Sequence, residues 1–206
     1  LILRCIPYIQ ETEIVHLPHI LYHWRSAEGS TANYEGAKSY ATEAGLRALE
    51  DYFARQNLDV RVQHTQYPSS YRLLWPLPEC LPLVSLIIPT RNGLKVLEQC
   101  VRSILDRSSY SNFEIIIVDN GSDQAEVLEY FDRIVSADAR VRILTYDAPF
   151  NFSAINNFAV KKARGDILGL INNDIEVIAE DWLEEMVSHA IRPNIGCVGA
   201  KLYYPN

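Results

Sequence analysis

The stretch that decides the fold is ILGLINNDIE, residues 167–176, in which an apolar run leads directly into polar residues. A continuous apolar run of this kind predicts a buried parallel strand. Asn172, Asn173 and Asp174 would then lie at the carboxyl end of that strand, where open α/β sheets bind ligands. If the strand continues, Asp174 and Glu176 point to one side, and two carboxylates suit Mg²⁺ or Mn²⁺ carrying a phosphorylated substrate. The alternative is a strand that ends in a solvated acidic turn, because Asn and Asp are common turn residues.

The residues around this stretch alternate between apolar strands and amphipathic helices. Strands are predicted at residues 84–88, 113–118, 141–144, 167–171 and 195–200. Helices are predicted near residues 94–105, 127–134, 152–163 and 180–190. Strands and helices that alternate at these lengths predict an α/β fold, in which a mostly parallel, Rossmann-like sheet carries helices on both faces.

Three of the predicted strands end in polar clusters, at residues 89–92, 119–121 and 172–176. Because the site of such a sheet lies beyond the carboxyl ends of its strands, we expect these clusters to converge where the strand order reverses. The glycine-rich dinucleotide fingerprint, the phosphate-binding loop of NTPases and the G-x-S-x-G elbow of esterases are all missing from the sequence. The sheet is therefore expected to bind phosphate without a glycine cradle.

Composition narrows the classes of function. The net charge of −7 over 206 residues argues against a nucleic-acid partner. An acidic protein that binds an anionic substrate needs a divalent cation or helix N-termini. The cysteines at positions 5, 80, 100 and 197 form no C-x-x-C pair, which favours a reducing, cytoplasmic location. No apolar run approaches the roughly 18 residues that span a bilayer. The chain begins with Leu1 and ends abruptly at Asn206, which indicates a fragment.

Residues 1–80 are predicted to form a separate N-terminal region, followed by an α/β domain over residues 81–206. A helix near residues 34–56, short strands at residues 59–64 and 71–75, and a proline-rich linker at residues 76–82 are expected there. The helix shows an apolar stripe formed by Ala37, Tyr40, Ala41, Ala44, Ala48, Leu49, Tyr52 and Phe53. His16, His19 and His23 suggest zinc, but no cysteine or carboxylate completes a tetrahedral set, so packing or turn roles are favoured.

Ordered motifs connect residues 83–202 with a known family. They are VSLIIPTRNG at 84–93, FEIIIVDNGS at 113–122, FNFSAINN at 150–157 with Gly165-Asp166 after it, NND at 172–174 and VGAKL at 198–202. In this order and spacing the chain resembles the family 2 glycosyltransferases, which have the GT-A fold and carry a DxD motif where NND stands. The NND form is most similar to a rhamnosyltransferase-like branch that acts on bacterial cell-surface polysaccharides. Residues 19–25 resemble the tail of an upstream module, so residues 1–80 are either a connector between modules or a helical accessory domain.

The resemblance implies an inverting transfer of a sugar from a UDP- or dTDP-type nucleotide-diphospho-sugar donor to a glycan or lipid-linked acceptor. It implies a divalent cation, Mn or Mg, and allows peripheral membrane association through further segments. The catalytic base would be an aspartate beyond Asn206, so the catalytic residue is unknown. The implied donor-site residues are Pro89, Thr90 and Asn92 at the nucleotide, Asp119 at the base, Asn157 and Asp166 at its flank, Asn172 at the ribose, Asp174 at the metal, and Glu176 on the metal side.

Two rival functions remain open at this point. Asn172 and Asn173 are neutral where many relatives are acidic, which leaves open a nucleotide-sugar-binding or scaffolding module without turnover. A phosphotransferase that uses Asp119 as an aspartyl-phosphate nucleophile is the other rival. That chemistry usually needs a second acid two residues later, and Gly121 stands there.

Overall fold

The computed structural model describes residues 2–23, 39–67 and 69–204. The chain divides into two compact units, Leu1–Pro76 and Leu77–Asn206. Each unit is described by itself.

The first unit contains helices and one small hairpin. Its elements are α1 (Ile2–Cys5), two 3₁₀ turns (Ile6–Tyr8 and Glu11–Glu13), α2 (Ser39–Arg55), β1 (Arg61–His64) and β2 (Tyr71–Leu74), with β1 antiparallel to β2. The Tyr71 hydroxyl donates a hydrogen bond to the carbonyl of Thr42 at 2.7 Å. This hydroxyl lies where a side chain at Gly45 would be, so the small residue lets Tyr71 pack closely against α2. Phe53 is buried and meets Trp75 edge to face, with 5.6 Å between ring centroids.

The predicted apolar stripe of the N-terminal helix is partly wrong. Tyr40 is 65% exposed, and Ala44 and Ala48 are also exposed. The packed face of α2 passes through Gly45 and Phe53, where Tyr71 and Trp75 contact the helix, so the stripe is confirmed at Phe53. Residues 24–38 lie outside the described part of the chain, and with them the predicted start of this helix and Ala37. His16, His19 and His23 are exposed.

The second unit is a parallel sheet with helices between its strands. Its strands are β3 (Val84–Thr90), β4 (Phe113–Asp119), β5 (Val141–Thr145) and β6 (Ile167–Leu170). Its helices are α3 (Leu94–Arg107), α4 (Ala125–Ala137), α5 (Phe152–Val160) and α6 (Trp182–Ala190). The sheet order is β5-β4-β3-β6, with every pairing parallel. The predicted α/β class and parallel sheet are confirmed. Strand order reverses between β3 and β6, which makes their carboxyl ends the expected ligand crevice.

Helices cover both faces of this sheet. One face packs Leu86, Ile115 and other buried residues against α3, α4 and α6. The opposite face packs Ile87, Ile116 and Val118 against Ile155 and Ala159 of α5. Both faces of the central strands β3 and β4 are buried, which explains why their sequences read as continuous apolar runs.

Two strand predictions are wrong. The strand at β6 is parallel but not fully buried, because it pairs only with β3 among the described strands and leaves Leu168 and Leu170 43% and 54% exposed. It ends at Leu170, so Asp174 and Glu176 do not share an extended strand. Residues 195–200 form no strand, since this apolar stretch has no pairing partner in the described chain. No helix in the described ranges is both long and apolar enough to cross a bilayer.

Candidate functional site

The three polar clusters meet at the carboxyl edge of the sheet. Thr90 and Asp119 are register partners at the ends of the neighbouring strands β3 and β4. The carboxamide of Asn173, in the turn after β6, donates a hydrogen bond to the Thr90 hydroxyl at 3.0 Å. Thr90 therefore joins the loop after β6 to the end of β4, and the predicted convergence of the clusters is confirmed.

Asp119 is 7% exposed, and only one of its two carboxylate oxygens accepts a hydrogen bond within the described residues. Its Oδ1 accepts a hydrogen bond from the backbone N–H of Ser122 at 3.0 Å. Gly121 adopts a left-handed backbone with φ of 77°, which lets the chain turn back sharply enough for this bond to form. No other hydrogen bond to the Asp119 carboxylate is found in the described residues, so Oδ2 is an acceptor available to a ligand.

Asn92 fastens the loop after β3 to the loop after β4. Its Oδ1 accepts the backbone N–H groups of Asp123 at 3.1 Å and Gln124 at 3.3 Å, and its Nδ2 donates to the Asp123 carboxylate at 3.0 Å. Its own N–H donates to the Ser122 hydroxyl at 2.7 Å. Gln124 is the N-cap residue of α4 and makes no side-chain cap bond, so the Asn92 carboxamide fixes the two residues through which the loop enters this helix. Asn92, predicted to line the nucleotide pocket, thus has a side chain engaged in loop contacts.

Asn120 fixes a third loop, the one that follows β5. Its Nδ2 donates to the carbonyls of Tyr146 at 2.9 Å and Ala148 at 2.8 Å. An open pocket of about 310 Å³ lies beside this contact. It is lined by Arg91, Asn120, Gly121, Tyr146, Asp147, Ala148, Pro149 and Phe150. The sequence placed Arg91 in the polar cluster at residues 89–92 without giving it a role, and it did not predict the loop at residues 146–150 as part of the site.

Asp174 is exposed in the turn after β6 and has no hydrogen bond or ion pair in the described residues. The neighbouring carbonyl of Asn172 accepts a contact from the buried Cys100 thiol at 3.6 Å. Burial, with a smaller contribution from the nearby Asp174 charge, raises the pKa of Cys100 to about 12. The thiol therefore stays protonated beneath the turn, and Asp174 is the free carboxylate of this loop.

The Glu176 carboxylate is engaged by two side chains of α3. Its carboxylate lies 3.1 Å from the Arg107 guanidinium and accepts a hydrogen bond from Gln99 at 2.6 Å. Both partners belong to α3. Because the strand ends at Leu170, the parity that would have paired Asp174 with Glu176 does not apply. The contacts of Glu176 do not support its predicted metal role.

Some of the other predicted site residues lie at the carboxyl edge of the sheet, and others do not. Pro89 lies in β3 one residue before Thr90, Asn172 is exposed in the turn after β6, and Asn157 is exposed on α5. Asp166 directly precedes β6 and therefore lies at the amino end of a parallel strand. Thr90, Asp119 and Asn173 lie at the carboxyl end. The structure does not bring Asp166 to the site, because its prediction used motif order without strand direction.

A buried polar cluster that the sequence analysis missed lies toward the amino edge. The Glu114 carboxylate accepts hydrogen bonds from the Ser85 hydroxyl at 2.7 Å, the Arg164 N–H at 2.9 Å and the Arg142 guanidinium at 3.0 Å. Burial would raise the pKa of Glu114, but these hydrogen bonds and the Arg142 charge together hold it below its ordinary value. The signal in the sequence that could have revealed this cluster is Glu114 itself, a glutamate within the apolar run of β4.

Comparisons with known proteins identify the family. Residues 85–206 match the family model described as Glycosyl transferase family 2. The chain belongs to this family. It is 54% identical over its whole length to the uncharacterized protein y4gI of Sinorhizobium fredii and covers 23% of that protein. It is also 39% identical, over 94% of its length, to the O-antigen biosynthesis protein RfbC of Myxococcus xanthus, of which it covers 15%. The chain thus spans less than a quarter of these relatives.

A solved structure supports the fold assignment. A mannosyltransferase from Pyrobaculum calidifontis, in complex with GDP-Man and Mn²⁺, matches with a TM-score of 0.54 and 21% identity. The match covers 78% of this chain and 45% of the mannosyltransferase chain. Together with the family match and the parallel sheet flanked by helices, this likeness confirms the predicted GT-A fold and the glycosyltransferase resemblance.

Proposed function

We propose that residues 77–206 form the donor-binding part of a glycosyltransferase that transfers a sugar from a nucleoside diphosphate donor to a glycan or lipid-linked acceptor. The observation that carries this proposal is the contact between Asn173 and Thr90. Through it, the loop bearing Asp174 is joined to the strand that is in register with Asp119, on one edge of the sheet. The similarity to an O-antigen biosynthesis protein supports bacterial cell-surface polysaccharide as the product class.

Each residue of the edge has a chemical task in this proposal. Asp119 presents a free carboxylate oxygen that accepts an N–H of the base, which suits the ring N–H of uracil, thymine or guanine. The UDP- and dTDP-type donors predicted from the sequence fit this acceptor. Thr90 fixes the Asn173 turn, and that turn presents Asp174. Asn172, which is exposed two residues before Asp174, is proposed to contact the ribose.

The turn after β6 fits a divalent cation of the Mg²⁺ or Mn²⁺ type. Asp174 supplies one unpaired, exposed hard-oxygen ligand, and these cations are commonly held by one or two carboxylates with phosphate oxygens and water completing the shell. When bound, the cation would neutralise negative charge on the departing diphosphate. The protein's own part is to present Asp174 at a fixed position, because Asn173 and the Asn172 carbonyl tie the turn to Thr90 and Cys100.

Inversion also requires a general base that deprotonates the acceptor hydroxyl. In this proposal the base comes from residues that follow Asn206. We further propose that the reaction takes place in the cytoplasm, with peripheral membrane association through other segments of the longer protein. Neither a scaffold without turnover nor an aspartyl-phosphate enzyme is favoured by the family match.

Calorimetric titration of the 206-residue chain with UDP, dTDP and GDP, with and without Mn²⁺, tests the proposal. At least one nucleotide is expected to bind more tightly with Mn²⁺. Asp174→Ala should abolish the metal-dependent gain, whereas Glu176→Ala should keep it because Glu176 is paired with Arg107. Binding that ignores both the metal and the Asp174 substitution would contradict the metal role, and binding of no nucleotide would contradict the donor site.

A further inference from the structure

The segment that carries Asp174 lies beyond the sheet. β6 ends at Leu170, and residues 172–177 belong to no strand or helix. Within the described part of the chain, none of these residues makes a backbone–backbone hydrogen bond. Asp174 is exposed near the middle of the segment. Its position is therefore fixed by something other than strand pairing.

One face of α3 supplies the contacts that a neighbouring strand would otherwise provide. The buried N–H of Val177 donates to the Ser103 hydroxyl at 3.0 Å, and the Val177 carbonyl accepts a hydrogen bond from the Arg107 guanidinium at 2.6 Å. At the other end of the segment, the Cys100 thiol contacts the Asn172 carbonyl. Cys100, Ser103 and Arg107 follow one another at steps of three and four residues, so they lie on the same face of the helix. These three side chains form the α3 clamp.

The α3 clamp is shielded from water at its centre. Ser103 is 5% exposed, and its hydroxyl donates to the Cys100 carbonyl at 2.9 Å, which leaves an oxygen lone pair for the Val177 N–H. Val177 is also buried and packs in the main hydrophobic core. Water therefore does not compete for the contact between Ser103 and Val177. The ion pair between Arg107 and Glu176 is about half exposed at both side chains and contributes less.

α3 also connects the two sides of the proposed donor site. It begins at Leu94, directly after the loop in which Asn92 is tied to the loop after β4. Its last two turns hold the segment that bears Asp174. One helix thus fixes the proposed metal side relative to the proposed nucleotide side.

We infer that Ser103 and Arg107 are positioning residues for the metal side of the donor site, because they hold the Val177 backbone and thereby set where Asp174 presents its carboxylate. This inference rests on the proposed function and adds two residues of α3 that act only through the segment they hold. A cation that is bound by one carboxylate, phosphate oxygens and water depends on where that carboxylate lies. Loosening the segment is therefore expected to weaken the metal-dependent part of nucleotide binding and to leave the metal-free part unchanged.

Calorimetric titration of the chain with UDP and with GDP, with and without Mn²⁺, tests this inference through the gain in affinity that the metal causes. Ser103→Ala and Arg107→Met should each reduce that gain about three- to tenfold, the range expected for one lost hydrogen bond. Arg107→Lys should keep the gain, because one guanidinium nitrogen makes both contacts of Arg107 and an ammonium group can replace it. The affinity without metal should be the same in all variants.

Matched controls separate positioning from a general loss of stability. Ser188 of α6 is buried and donates to the carbonyl three residues earlier, as Ser103 does, but no described residue donates to it. Arg102 also lies on α3, and within the described chain it pairs with Asp106 alone. Ser188→Ala and Arg102→Met should therefore keep the full gain. A gain that falls equally in these controls would overturn the inference.

Amide hydrogen exchange, measured without metal or nucleotide, gives a second readout. Ser103→Ala should speed exchange at Val177, whose N–H loses its acceptor. Exchange at Ile171 should stay unchanged, since its N–H donates to the Ile87 carbonyl within the sheet. Unchanged exchange at Val177 would show that Ser103 does not hold the segment and would overturn the inference.

The outcomes separate this inference from the proposed function. A full Mn²⁺-dependent gain in both Ser103→Ala and Arg107→Met would overturn the inference and leave the proposed function standing. A metal-free affinity that falls by the same factor as the affinity with Mn²⁺ would also overturn it, because the loss would then concern the whole site. Absence of any Mn²⁺-dependent gain in the unmodified chain would contradict the proposed metal role itself, and the inference with it.

Discussion

Two carboxylates of the same strand, Glu114 and Asp119, differ in how many hydrogen bonds they accept. Both lie in β4 and both are buried, with 6% and 7% of the residue exposed. Glu114 receives hydrogen bonds from Ser85, Arg142 and the Arg164 backbone. Asp119 receives one described hydrogen bond, from the Ser122 backbone, and keeps one oxygen available.

We propose that this difference separates stability from ligand binding within one sheet. Removing a buried carboxylate whose acceptor sites are filled destabilises the fold strongly, because its partners are left uncompensated. A carboxylate at the strand end with an open acceptor adds less stability and can bind a ligand. The amino half of the sheet, around Glu114, is therefore expected to carry folding energy, and the carboxyl edge, around Asp119, is expected to carry function.

The largest effect on stability is expected at Glu114. Glu114→Gln should lower the free energy of unfolding by about 3 kcal/mol, because it breaks a buried ion pair and leaves the Arg142 charge uncompensated. Asp119→Asn should cost at most about 1 kcal/mol, since its oxygen can still accept the Ser122 N–H. Urea unfolding followed by circular dichroism measures both values. Equal losses would break the distinction between the two carboxylates.

The next effect is expected at Gly165, which enters β6 beside the Glu114 cluster. A Cβ there would lie 2.6 Å from both the Leu83 carbonyl oxygen and the Ser85 nitrogen. Gly165→Ala should therefore destabilise the fold by about 1–3 kcal/mol through overpacking against backbone. Gly199→Ala is the matched control, because a Cβ at Gly199 meets nothing within 4 Å. If the two substitutions have the same effect in urea unfolding, the amino half is not tightly packed.

A smaller effect is expected in the dependence of stability on pH. The pKa of Glu114 is lowered from 4.5 in the folded chain, so the unfolded chain binds more protons at acidic pH. The stability that Glu114 contributes is thus fully present above pH values near 4.5 and is lost as the pH falls through the lower, folded pKa. Urea midpoints measured from about pH 6 down to about pH 3 should decline less steeply for Glu114→Gln than for the unmodified chain. A slope unchanged by the substitution would contradict the cause given for the shift.

The smallest effect, on reactivity alone, is expected at Cys100 below the Asp174 turn. Its thiol is buried and has a pKa raised to about 12, whereas Cys5, Cys80 and Cys197 are exposed. A thiol reagent at neutral pH should modify three cysteines rapidly and Cys100 slowly. Rapid modification of all of them would show that the turn after β6 opens readily.

The sequence correctly predicted those parts of the fold in which residues follow a regular apolar pattern. Apolar runs located β3 and β4, and the alternation of elements established the parallel sheet with its polar strand ends. It failed where spatial neighbours decide the outcome. Asp166 is at the amino end of β6, Glu176 is paired with Arg107, and residues 195–200 have no strand partner in the described chain. The loop at residues 146–150 was missed because loops that are distant in sequence form one pocket only after folding.

The most direct test of the donor site is the NMR line broadening that Mn²⁺ causes in the presence of UDP or GDP. The edges of the sheet are about 20 Å apart along β3, and paramagnetic broadening falls steeply with distance. The account predicts broadened amide signals at Asn92, Gly121 and Asp174 and sharp signals at Gly165 and Asp166. Broadening at Gly165 and Asp166, with sharp signals at Asp174, would contradict it.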